Sequence, residues 1–246
     1  MADSQRDMIR HESQVMGEIA ALARDPIFYG RGVPRGDGRL VLVTPGLFGN
    51  DVYLQPLRSW LARIGYRPVR STLMVNAGCP QRLREQVDQT LSRQIERHPG
   101  PVALIGHSRG GMLCWAIASQ LQERASHLIL LGSPAPAVVA MMKQGQWMKP
   151  GEIGHSSVAD AGARAMRMLS PECDVPHCGC PYTEDLRRPL SPATRVMSVY
   201  STEDPVVHPS SCRAPGAELV EVHGTHSGLV YNRKVLPHVG RFLAGP

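Results

Sequence analysis

The chain has 246 residues, a formal net charge of +6 and a pI of about 9.2. That is enough chain for a single sizeable α/β domain over 1–246, and no internal repeat or low-complexity block divides it. No apolar run reaches the roughly 18 residues that span a bilayer, and no nucleic-acid motif accompanies the basic charge, so neither stable membrane insertion nor nucleic-acid binding is expected.

The first residues, MADSQRDMIRHESQ, are polar and lack the apolar core of a secretory signal, which makes a cytoplasmic address the expectation. An amphipathic helix is expected over 4–24, with Met8, Ile9, Val15, Met16, Ile19 and Leu22 on one broad face. The Gly- and Pro-rich stretch 25–38 reads as a loop. Arg39 to Thr44 (RLVLVT) is a continuous apolar strand, followed by the small-residue loop PGLFGN at 45–50 and a helix from Asp51 to Ile64. Tyr66 to Val75 reads as the next strand, and Gln81 to His98 as a helix with Leu83, Val87, Leu91 and Ile95 on one face. A strand begun by Val102–Ile105 leads into a helix that ends near Arg124, and His127 to Leu131 is another buried strand. Strand alternating with helix in this way demands a parallel sheet covered on both faces.

The alternation breaks from Ala135 to about Pro192. This Met-, Pro- and Gly-containing stretch is read as an insertion with one or two helices, either a cap over a site or a crossover with its own small core. Thr194 to Tyr200 and Glu218 to Val222 return as strands, and a closing helix runs to about Leu243.

Chemistry concentrates at three strand ends. Gly106-His107-Ser108-Arg109-Gly110 has the G-x-S-x-G spacing between a strand and a helix. That spacing sets a Ser hydroxyl on a tight turn, with small neighbours and a helix N-terminus behind it. A Ser hydroxyl is a weak nucleophile until a base takes its proton and a carboxylate fixes the base's tautomer. Asp204 and then His226 follow at the ends of the last two strands. Glu203 and His223 are their neighbouring rivals; His226 is favoured over His223 by its place in a loop rather than at a strand end. The backbone amides of Leu47 and Arg109 are the candidate oxyanion donors, with Phe48 the alternative in the first loop. Phe48 and His107 are candidate pocket residues for substrate. His11, His98, His155 and His238 read as structural.

Together, PGLFGN at 45–50, IGHSRGG at 105–111, LGSP at 131–134, YSTEDPVV at 200–207 and GTHSGL at 224–229 make the chain resemble the serine esterases and lipases of the α/β-hydrolase superfamily over about residues 39–243. The resemblance implies a mostly parallel sheet of about six strands with helices on both faces and a cap insertion before the penultimate strand. It also implies acyl-enzyme chemistry at Ser108, His226 and Asp204 on a small-molecule acyl ester, with no cofactor. The choice of Asp204 over Glu203, by the Pro205-Val206-Val207 after it, is one that the resemblance implies. An acyltransferase or thioesterase would use the same three residues, and a non-catalytic binding module is the reading from another class.

Cys173, His177, Cys178 and Cys180, with Cys212 further on, form a second cluster. It admits a disulfide to Cys212, free thiols, or a zinc site, although the spacing is not that of a ribbon or finger. The last would make the chain a zinc hydrolase in which Ser108 is dispensable. Cys114 reads as core.

Overall fold

β1 (Leu40–Thr44) and β3 (Val102–His107) are buried at every position, as central strands of a two-faced sheet must be. In a computed structural model, which describes residues 14–136, 168 and 180–245, they lie side by side in a six-stranded sheet. Its spatial order is β2-β1-β3-β4-β5-β6 and every pair is parallel. The other strands are β2 (Arg67–Arg70), β4 (Ala125–Leu131), β5 (Arg195–Ser201) and β6 (Glu218–Val222).

Alternate side chains feed two cores. Val41, Val43, Ala103, Ile105, Ile129, Leu131, Met197 and Val199 pack with α1 (Val15–Arg24), α2 (Gln55–Arg63) and α6 (Val235–Ala244). Leu40, Leu42, Val102, Leu104, Leu128 and Leu130 pack on the other face with α3 (Pro80–Arg97), α4 (Arg109–Leu121) and the short α5 (Pro181–Asp185). The chain leaves β1 toward one edge to make β2, then crosses back to make β3. The order therefore reverses between β1 and β3, and open α/β sheets form their binding crevice outside the carboxyl ends of such strands.

Two expected elements are shorter than the sequence suggested. The strand over 66–75 ends at Arg70, because the Asp51 carboxylate takes the Ser71 N–H and hydroxyl on one oxygen (both 3.1 Å) and the Thr72 N–H on the other (2.8 Å). Thr72 then adopts φ 61°, which no strand continues through. The helix over 51–64 begins only at Gln55, since Asp51 is spent on that contact and Pro56 opens the helical turn. Loop 25–38 contains a 3₁₀ turn, Pro26–Tyr29, capped by Asp25. Of the expected N-terminal helix only Val15–Arg24 falls within the described residues. The expected cap over 135–192 lies mostly outside them; its end, α5, packs against α3 and α4.

Candidate active site

The turn from β3 into α4 is built by close approach. A Cβ on Gly106 would come 2.3 Å from the Gly111 Cα, so only glycine lets strand and helix meet there. Ser108 sits between them at φ 52°, ψ −126°, a conformation that costs an L-residue about 1–3 kcal/mol. Its N–H is held by the Leu131 carbonyl at 2.8 Å and its own carbonyl by the Gly111 N–H at 2.9 Å. The strained turn sets the side chain at the N-terminus of α4, where Ser108 is only 9% exposed, and its hydroxyl has no hydrogen-bond partner among the described residues.

Asp204 and His226 form a buried pair. His226 Nδ1 lies 2.6 Å from Asp204 Oδ2, with side chains 7% and 1% exposed. The other Asp204 oxygen accepts the Val206 and Val207 N–H groups at 2.7 and 2.9 Å, so the carboxylate is fixed at both ends. The rivals lie elsewhere: Glu203 and His223 contact each other at 3.2 Å on the surface, 50% and 68% exposed.

The loop after β1 uses its amides unevenly. The Gly46 N–H goes to the Tyr53 hydroxyl at 2.6 Å and the Phe48 N–H to the Asn76 carbonyl at 3.0 Å, while the Leu47 N–H has no partner among the described residues. Phe48, at φ 58°, turns its ring outward and leaves it half-exposed. The loop is placed by Asn76, fully buried, whose N–H donates to the Gly49 carbonyl and whose amide donates to the Pro45 carbonyl at 2.7 Å. Arg109 grips the same segment, donating to the Asn76 carbonyl and side-chain oxygen and to the Gly78 carbonyl.

His107 corrects an expectation. Both its ring nitrogens face protein: Nδ1 accepts from the Tyr53 hydroxyl at 2.9 Å and Nε2–H donates to the His226 carbonyl at 3.0 Å. The His226 carbonyl can only accept, so Nε2 carries the proton of the neutral ring and Nδ1 accepts from the Tyr53 hydroxyl, which fixes this tautomer. Burial first, and the neighbouring His226 ring second, push the His107 pKa down to about 3. The ring is a neutral strut between the first loop, the Ser turn and the His226 loop, with no nitrogen left for a substrate. Tyr53 had no sequence signal, because its partner lies 54 residues away.

Tyr53→Phe removes the donor to His107 and the acceptor of the Gly46 N–H together. Leaving such buried groups unpaired costs about 1–3 kcal/mol. Thermal denaturation should show a clear drop in melting temperature; an unchanged transition would mean that the strut carries no stability.

Cys212 is a buried free thiol whose pKa burial pushes far up, so the disulfide option to Cys212 is not realised. Cys114 is core, its thiol against the Thr44 hydroxyl at 3.0 Å. Among the described residues no His, Cys, Asp and Glu group could hold a metal ion. Cys173, His177 and Cys178 lie outside them. No helix among the described residues is long and apolar enough to cross a membrane.

Comparison with known proteins agrees with this architecture. A family model described as Thioesterase domain matches residues 80–159, about a third of the chain. Among solved structures, a metagenome-derived lipolytic enzyme aligns with TM-score 0.53 at 16% identity, over 84% of this chain and 94% of that one. A monoacylglycerol lipase from Paleococcus ferrophilus aligns with TM-score 0.51 at 15% identity, over 83% and 96%. Polyneuridine aldehyde esterase gives 0.51 at 14%, over 82% and 98%. A search of the curated proteins found no match. The parallel sheet, the strained Ser turn and these likenesses define an α/β-hydrolase fold.

Proposed function

We propose that the chain is a serine hydrolase of carboxylic acyl esters. The reading rests on one observation above the others: the buried 2.6 Å pairing of Asp204 with His226 at the sheet edge that also carries the strained Ser108. Asp204 receives the Nδ1–H of His226 and leaves Nε2 as the base. The Ser108 oxygen attacks the acyl carbon as its proton passes to Nε2, and the carbonyl electrons move onto oxygen. The Leu47 and Arg109 amides hold that oxyanion. Its collapse reforms the carbonyl and expels the alcohol, which takes the proton from His226. Water, deprotonated by the same ring, then releases the acid and restores Ser108. In the free protein Ser108 and His226 are not hydrogen-bonded to each other; such contacts are often long without substrate and tighten in the complex.

Phe48 and Val75, each about half-exposed, and the nearly free Met74 lie on two loops tied by the Phe48–Asn76 and Asn76–Gly49 backbone bonds. Their apolar rim beside Leu47 suits an acyl chain. The match of residues 80–159 to a thioesterase family supports a second reading, a thioester substrate. A thiol, with a pKa near 8.5, leaves with less help from the acid than an alcohol does.

The experiment presents the same acyl group as a p-nitrophenyl ester and as an N-acetylcysteamine thioester, and labels the protein with a fluorophosphonate. One-to-one labelling at Ser108 with hydrolysis of the ester is expected. A kcat/KM for the thioester well above that for the ester would favour the second reading. No labelling and no hydrolysis of either would overturn both.

A further inference from the structure

Helix α1 stands outside the alternating frame, yet its first turn reaches the loop that carries His226. The Glu18 carboxylate accepts the Thr225 N–H at 3.1 Å on one oxygen and the Thr225 hydroxyl at 2.7 Å on the other. The Thr225 hydroxyl in turn accepts the Gly228 N–H at 2.9 Å. The carboxylate lies flat against the loop: a Cβ on Gly228 would fall 1.5 Å from Glu18 Oε2, and one on Gly224 would be 2.7 Å from Oε1. Glu18 thus crowds both glycines from more than 200 residues away, alongside the Asn232 amide at Gly224 (2.7 Å) and the Thr225 hydroxyl at Gly228 (2.3 Å).

The rest of the loop is held from within the frame. The Asn232 amide donates to the His223 carbonyl, the Ser201 hydroxyl to the Gly224 carbonyl and the His107 ring to the His226 carbonyl. Those contacts fix carbonyls. The N–H of the residue before His226, and through Thr225 that of Gly228 two residues after it, are fixed by Glu18. Hydrogen bonds to an ionised carboxylate are about twice as strong as neutral ones.

We propose that Glu18 is a positioning residue for the catalytic base: it sets the backbone on both sides of His226 and so aims its ring at Ser108. This rests on His226 being the base. Misplacing a reacting group by about 1 Å can cost roughly a hundredfold in rate.

The test measures kcat per fluorophosphonate-titrated site, KM, and the low-field proton signal of the His226–Asp204 hydrogen bond, below the melting temperature of every variant. Glu18→Ala should lower kcat about ten- to a hundredfold, leave KM within about twofold, and broaden or shift the low-field signal. Glu18→Gln keeps an acceptor for the Thr225 N–H but turns an NH₂ toward the Thr225 hydroxyl, so it should recover part of the loss. Thr225→Val, which strands the Gly228 N–H, should lower kcat as well, and serves if Glu18→Ala does not fold. Wild-type kcat per titrated site in these variants, with only the melting temperature lowered, would overturn the proposal. Failure of the functional reading shows separately: the wild type would then not titrate, or His226→Ala would turn over like the wild type.

Discussion

Ser108→Ala is expected to remove essentially all ester hydrolysis, a fall in kcat of about a million-fold, or about 8 kcal/mol of barrier. The size follows from the concerted nature of the site. Without the hydroxyl the Asp204–His226 pair has nothing to deprotonate but water, and the reaction loses its acyl-enzyme. His226→Ala should cost about as much, and the double variant no more than either, because neither side chain acts without the other. Residual rate above that of water would come from the Leu47 and Arg109 amides alone. The substitution removes one oxygen that has no hydrogen-bond partner among the described residues and retains the strained backbone, so the melting temperature should stay near that of the wild type. The measurement is burst and steady-state hydrolysis of a p-nitrophenyl ester. Wild-type turnover by Ser108→Ala, abolished by a chelator, would transfer the chemistry to a metal and sink the serine mechanism.

Much of this was open to a reader of the chain because the signals are local. Val102 to Ile105 and His127 to Leu131 are continuous apolar runs, and each is a buried strand within two residues of its expected ends. The Ser turn carries its glycines within three residues of Ser108. Asp204 and His226 follow strand ends, and the parallel order brings those ends together. What was hidden depends on long-range hydrogen bonds. Asp51 cuts the second strand short from 20 residues away. Asn76 anchors the first loop from 31 away, and Glu18 grips Thr225 from 207 away. No pattern of hydrophobic spacing reports such contacts. His107 misled for the same reason: beside the nucleophile it reads as a pocket residue, and only Tyr53 and the His226 carbonyl make it a strut.

Asp204→Asn tests the carboxylate that sets the tautomer of His226. Two backbone N–H groups, of Val206 and Val207, point at Asp204 Oδ1. An asparagine must therefore place its oxygen there, since its NH₂ cannot accept them. The NH₂ is then forced toward His226 Nδ1 at the 2.6 Å contact. Two donors cannot face each other, so Nδ1 must give up its proton and Nε2 must carry it. That is the wrong tautomer: Nε2 then has no lone pair with which to take the Ser108 proton. A loss of about ten-thousandfold in kcat at neutral pH is expected, smaller than that of Ser108→Ala because nucleophile and ring both remain. Nitrogen chemical shifts of the His226 ring should show the proton moved from Nδ1 to Nε2. Glu203→Gln makes the contrast, since Glu203 only meets the exposed His223 and its loss should leave kcat within about twofold. If Asp204→Asn kept kcat within tenfold while Glu203→Gln lost it, the acid would be Glu203, and the loop between β5 and β6 would have to rearrange when substrate binds.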